Sequence, residues 1–151
     1  MDLGLKGKKV LVTGSTKGLG RAIAETMLAE GASVAICARN AEEVAAAVAD
    51  MSKLGKVVGA SVDAADPEAL RAWVASSAEQ LGGIDVYVHN TSGKPARKLE
   101  AWINNFNIDL MSLVHGVDAA KEALANGGGS VISIGTTATS EHFASGSGSY
   151  S

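Results

Sequence analysis

The stretch Thr13-Gly14-Ser15-Thr16-Lys17-Gly18-Leu19-Gly20 leaves this chain few folds to choose from. It follows a short apolar run, Val10-Leu11-Val12, and opens a segment of helical spacing. Leu19, Ile23 and Met27 fall on one face of that segment, with Ala24 and Leu28 beside them. Strand, glycine-rich turn and helix in this order form a dinucleotide phosphate site. Gly14 lets the chain reverse as it leaves the strand, and Gly18 removes a side chain where a pyrophosphate must come close. Gly20 lets the helix pack tightly. The free amides and positive dipole end of the helix face the anion. The hydroxyls of Ser15 and Thr16 are candidate further donors. The bland alternative is a tight turn with no ligand; the strand before it and the helix after it argue against that.

The rest of the chain repeats the same unit. Ser33 to Ala38 reads as a second strand, and its near-continuous apolar character fits a parallel strand covered on both faces. Ala41 to Leu54 reads as a helix with Val44, Val48 and Met51 on one side, and Lys56 to Val62 as a third strand. Asp66 caps a helix with Pro67 in its first turn and Leu70, Trp73, Val74 and Leu81 on its inner stripe. Ile84 to His89 is a fourth strand. A long helix is expected from about Leu99 to about Leu124, with Ile103, Phe106, Leu110, Val114 and Val117 as its apolar face. Ser130 to Ile134 is a fifth strand, followed by a Gly, Ser and Thr-rich remainder. Right-handed crossovers then dictate an α/β fold, a doubly wound (Rossmann) parallel sheet, and the expected strand order is 3-2-1-4-5. Ligands bind where that order reverses, at the carboxyl ends of strands one and four.

At 151 residues the chain is expected to be a single nucleotide-binding domain, residues 1–151. Thirteen basic against sixteen acidic residues give a net charge of −3, which speaks against a nucleic-acid or membrane surface. The one cysteine, Cys37, lies in an apolar run, so no disulfide framework exists and a buried, inert thiol is expected. No signal peptide and no bilayer-spanning run is seen, and a cytoplasmic protein is the default. No metal site is expected.

The spacing Thr-Gly-x-x-x-Gly-x-Gly is narrower than the general fingerprint and resembles the short-chain dehydrogenase/reductase family. In the doubly wound fold an acidic residue at the end of the second strand selects NAD by bonding the adenosine ribose. Ala38 stands there instead, followed by Arg39, and Lys17 approaches the same point from the glycine loop. Two cations and no anion favour NADP(H), with NAD(H) as the alternative, and the resemblance implies the same, since basic residues at Lys17 and Arg39 are its usual NADP(H) markers. The resemblance makes Asp63 the acceptor for the adenine amino group. His89-Asn90-Thr91-Ser92-Gly93 resembles the family's Asn-Asn-Ala-Gly element: Asn90 matches, and would line the adenosine ribose and stabilise the sheet. His89 reads as a hydrogen-bonded structural residue.

The resemblance implies hydride exchange between a nicotinamide cofactor and a small carbonyl or alcohol substrate, with a proton donor at the oxygen and a polarising hydroxyl beside it. Tyr150 stands at the family's active-site Tyr. Alignment on Ile134 puts Thr136 at the Ser position, whereas counting back from Tyr150 puts Thr137 there. Asp109 takes the place of the family's Asn, which works through its backbone carbonyl; Asn105 and Asn107 read as polar-face residues. The chain stops at Ser151, before the family's Lys and before its last strands, so a truncated reductase is expected whose 151 residues alone turn over little or nothing. An isolated Tyr has a pKa near ~10 and would be only about 0.1% ionised at pH 7. Assembly as a homodimer or homotetramer of the full-length protein, through the long helix and the family's helix after Tyr150, is also implied. A non-catalytic cofactor-binding module or redox sensor is the rival reading.

Overall fold

Apolar periodicity of two kinds alternates along the chain, and the backbone follows it. The computed structural model describes residues 2–94 and 98–136. Five strands, β1 (Lys9–Thr13), β2 (Ser33–Ala38), β3 (Val57–Ser61), β4 (Val86–His89) and β5 (Ser130–Ser133), form one parallel sheet. Their order is β3-β2-β1-β4-β5, the expected order and one that right-handed crossovers allow. Helices α1 (Gly18–Ala29), α2 (Ala41–Met51) and α3 (Pro67–Leu81) connect the first four strands. A single helical run then joins β4 to β5: α4 (Leu99–Asn105), a π-helical stretch (Phe106–Met111) and α5 (Ser112–Ala125).

β1 is central, paired with β2 and β4, and Val10, Leu11 and Val12 are fully buried. Complete burial of side chains of this size is worth roughly 1.5–3 kcal/mol each. The pleat sends alternate residues to two cores. Leu11, Ala35 and Tyr87 pack under α3 and α5, against Leu70, Trp73, Val74 and Ala120. Val10, Val12, Val34, Ile36 and Val88 pack under α1 and α2, against Ala24, Leu28 and Met51. The α3 cap is as expected: Asp66 Oδ1 accepts from the amides of Glu68 and Ala69. Asn40 caps α2 in the same way.

Three expectations about helix faces need correction. On α1 the buried ridge is Gly20, Ala24 and Leu28, while Leu19 is exposed. The cause is the close approach of Gly20 to the glycine loop, which turns that ridge inward. On the last helical run, Ile103, Phe106, Leu110 and Val114 face outward, and only Val117 of the expected stripe packs on the core. Ser112, Gly116 and Ala120 face the sheet, because small residues there admit the Tyr87 ring against the helix. Asn105 is not a polar-face residue; it is buried, with its side-chain amide donating to the Lys94 carbonyl at 2.7 Å.

β5 pairs with β4 on one side, and Val131 and Ile132 are exposed. All four residues of the strand are exposed. Among the described residues no helix is long and apolar enough to cross a membrane.

Candidate active site

A cavity of about 660 Å³ opens at the carboxyl ends of β1 to β4, where the strand order reverses. Gly14, Thr16 and Lys17 line it from the glycine loop, Arg39, Asn40 and Glu43 from the end of β2 and the start of α2. Asp63 lines it from the end of β3, and Asn90, Thr91 and Ser92 from the end of β4.

The glycine loop has the backbone its residues demand. Gly14 and Gly18 have φ of +62° and +58°, a region glycine enters without steric cost. A Cβ on Gly18 would meet nothing within 4 Å, so the floor of the loop is open on that side. A Cβ on Gly20 would instead overlap the Gly14 carbonyl and the Asn90 side-chain amide. Among the described residues no side chain caps the N-terminus of α1, unlike those of α2 and α3. Its first-turn amides are thus left for a ligand, as an anion site requires. This cradle and cavity fit a dinucleotide.

The two hydroxyls expected to reach the anion are used elsewhere. Ser15 is fully buried: its Oγ donates to the Val12 carbonyl at 2.7 Å and accepts from the Cys37 amide at 3.2 Å. It ties the loop to β2. Thr16 Oγ1 donates to Glu43 Oε2 at 3.2 Å. The same carboxylate lies 3.6 Å from Lys17 Nζ. An anion therefore does stand beside Lys17, contrary to expectation. Arg39 is exposed and makes no ion pair among the described residues.

Asn90 clamps β4 to β1. Its side-chain amide donates to the carbonyls of Thr13 and Gly14 at 3.2 and 3.0 Å, and its backbone amide to Thr13 Oγ1 at 3.0 Å. Asp63 lines the cavity while its Oδ1 accepts from the Ala65 amide, so it serves the turn as well. Asp109, in the π-helical stretch, accepts from the Gly93 amide at 2.6 Å. Together with Asn105 it fixes the segment after β4 to the helix. His89 is buried, as the structural reading requires, with Nε2 2.7 Å from Ser112 Oγ. Burial lowers its pKa below the usual imidazole value, against raising contributions from the Ile108 backbone and the Asp109 charge. The Cys37 thiol is buried and pushed up to about 12, chiefly by desolvation, which keeps it inert at neutral pH.

A family model described as short chain dehydrogenase matches residues 8–151. The chain belongs to the short-chain dehydrogenase family. It is 38% identical over 126 residues to isoepoxydon dehydrogenase patN of Penicillium expansum, covering 80% of this chain and 48% of the relative. The structure of L-sorbose reductase from Gluconobacter frateurii, complexed with NADPH and L-sorbose, superposes with a TM-score of 0.83 at 31% identity, over 88% of this chain and 54% of that one. A 7α-hydroxysteroid dehydrogenase complexed with NADH gives 0.87 at 26% identity, over 92% and 57%. The chain spans about half the length of the curated relatives it matches.

In this short-chain dehydrogenase the described residues bring together Gly14, Thr16, Lys17, Arg39, Asp63 and Asn90 around one cavity. Ile134 donates its amide to the His89 carbonyl, so the chain leaves β5 beside the end of β4, and Thr136 follows two residues on. Thr137 and Tyr150 lie outside the described residues. Sequence reasoning misses two residues of the site. Thr13 is the acceptor that joins both strand ends. Glu43 enters from the first turn of α2, and the signal for it is positional: a helix entered directly from β2 aims its first turn at the neighbouring glycine loop.

Proposed function

We propose that the whole protein interconverts a carbonyl and a secondary alcohol, using NADP(H) in preference to NAD(H). The observation that carries this reading is the cavity at the strand-order reversal, lined by the glycine loop that leads into α1 and flanked by Lys17 and Arg39. The amides of Gly18, Leu19 and Gly20 would hold the pyrophosphate, Lys17 and Arg39 a 2′-phosphate, and Asp63 the adenine amino group. When bound, the nicotinamide supplies or accepts a hydride at the substrate carbon. The protein handles the proton. Tyr150 would give one to the carbonyl oxygen, or take one from the alcohol, while the hydroxyl of Thr136 or Thr137 donates a hydrogen bond to the same oxygen. The Asp109 backbone carbonyl would hold a water of the relay, its carboxylate being engaged with the Gly93 amide.

Fluorescence titration tests the cofactor assignment. NADPH should bind more tightly than NADH. Lys17→Ala and Arg39→Ala should each weaken NADPH about tenfold, as loss of a charge-assisted bond does, and leave NADH within about twofold. Equal binding of the two nucleotides by the unaltered protein would remove both roles.

We further propose that the outward face of the last helical run pairs with a second copy of the chain. Trp102, Ile103, Phe106, Leu110 and Val114 are all exposed there, a contiguous apolar stripe of the kind that marks an interaction surface. The double variant Phe106→Glu, Leu110→Glu should halve the mass seen by light scattering. A monomer in the unaltered protein at high concentration would refute the pairing.

A further inference from the structure

Resting on the reading of the cavity as a nucleotide site, we propose that Glu43 is a selectivity determinant at its adenosine-ribose end. It holds Lys17 in an internal ion pair and narrows the preference for a 2′-phosphate. Three observations carry this. Glu43 Oε2 lies 3.6 Å from Lys17 Nζ and accepts a hydrogen bond from Thr16 Oγ1 at 3.2 Å. Lys17, Arg39, Glu43 and Asp63 line one cavity, two positive charges and two negative, and of the two carboxylates it is Glu43 that pairs with Lys17. Ala38, at the end of β2, offers no carboxylate, so Glu43 is the side-chain carboxylate supplied there by the start of α2.

The consequences for two ligands differ. A 2′-phosphate carries between one and two negative charges at neutral pH, with its second ionisation near pH ~6. To reach it, Lys17 must leave Glu43, and the phosphate must then stand near an unpaired carboxylate. Both steps weaken binding. A 2′-hydroxyl demands neither, and a carboxylate at that end can accept its hydrogen bond. Glu43 and Lys17 are both substantially exposed, at 45% and 81% of the side chain, so water and salt screen the effect. It is accordingly a modulation of selectivity, several-fold in size.

The experiment is titration of the protein with NADPH and with NADH at low ionic strength, for the unaltered chain, Glu43→Gln and Glu43→Lys. Gln keeps an acceptor for Thr16 and removes only the charge. It should tighten NADPH about fivefold and leave NADH unchanged or weaker, the span expected of an exposed charge pair. Glu43→Lys should shift the ratio further the same way, and salt at about 0.5 M should compress all three ratios together. Binding of both nucleotides with an unchanged ratio in Glu43→Gln overturns the role of Glu43 and leaves the nucleotide site standing. Binding of neither nucleotide by the unaltered protein overturns the site itself and this inference with it. A circular dichroism melt confirms that each variant is folded, and the ratio in Glu43→Lys decides the question should Glu43→Gln not fold.

Discussion

Gly20→Ala should cost NADPH affinity about tenfold or more, while Leu19→Ala, one residue away, should change it less than about twofold. The difference follows from what each side chain meets. A Cβ on Gly20 would overlap the carbonyl oxygen of Gly14 and the side-chain amide of Asn90. The first is backbone and cannot step aside without moving the glycine loop. The second is the group that joins β4 to β1 through the Thr13 and Gly14 carbonyls. One methyl therefore pushes apart the loop that faces the pyrophosphate and the clamp that positions it. Forced overpacking of this kind costs about 1–3 kcal/mol. Leu19 is 56% exposed, so trimming it leaves the backbone amide in place. Isothermal titration with NADPH reads both variants. Unchanged affinity in Gly20→Ala would mean that the loop does not hold the nucleotide.

The succession of strands and helices is readable from the sequence because two signals agree: apolar runs short enough for strands, and turn or cap residues between them. Asp66-Pro67 places the start of α3 to the residue, since a capping carboxylate followed by a ring with fixed φ has few other uses. Helix faces are harder. The expected stripe Ile103, Phe106, Leu110, Val114 is a real apolar face, and periodicity locates it correctly; periodicity cannot say whether sheet or solvent lies beneath it. Small residues at Ser112, Gly116 and Ala120 hold the answer, because a helix comes closest to a sheet where its side chains are smallest. The site divides similarly. Gly14 and Gly18 are legible because backbone geometry forces their identity, and Asn90 through its resemblance to the family's Asn-Asn-Ala-Gly element. Ser15 and Glu43 are not. A serine beside an anion site and a serine that ties a loop to its neighbouring strand look alike in a sequence. Likewise, a glutamate in the first turn of a helix has an ordinary explanation in the helix dipole. Only the packing of α2 against the glycine loop brings it to Lys17.

The close approach of α5 to the sheet makes the largest stability prediction. Gly116→Ala should lower the melting temperature by about 4–10 °C, on a cost of roughly 2–3 kcal/mol and a domain of this size. Helix propensity alone predicts the opposite sign, a gain of about 1 kcal/mol from alanine in the middle of α5. Packing should win, because the new methyl would overlap the Tyr87 hydroxyl and stand 2.5 Å from its Cζ, within a core where neither element can withdraw. Tyr87 separates the contributions. Its hydroxyl is buried without a hydrogen-bond partner among the described residues, and burial raises its pKa further from neutrality. Tyr87→Phe removes an unpaired polar group and should be neutral or stabilising by up to about 1 kcal/mol. In that background the nearest atom to residue 116 is gone while Cζ remains, and Gly116→Ala should lose less than it does alone. Equal losses in both backgrounds would place the strain elsewhere, and a rise in melting temperature for the single variant would mean that propensity outweighs the contact. The stake reaches beyond stability. Tyr87 lies on β4 two residues before His89, and Asn90 follows, so a helix lifted off Tyr87 should also loosen the clamp on the glycine loop. Gly116→Ala is therefore expected to weaken NADPH binding as well, at a distance from the cavity, and Tyr87→Phe to restore it in step with stability.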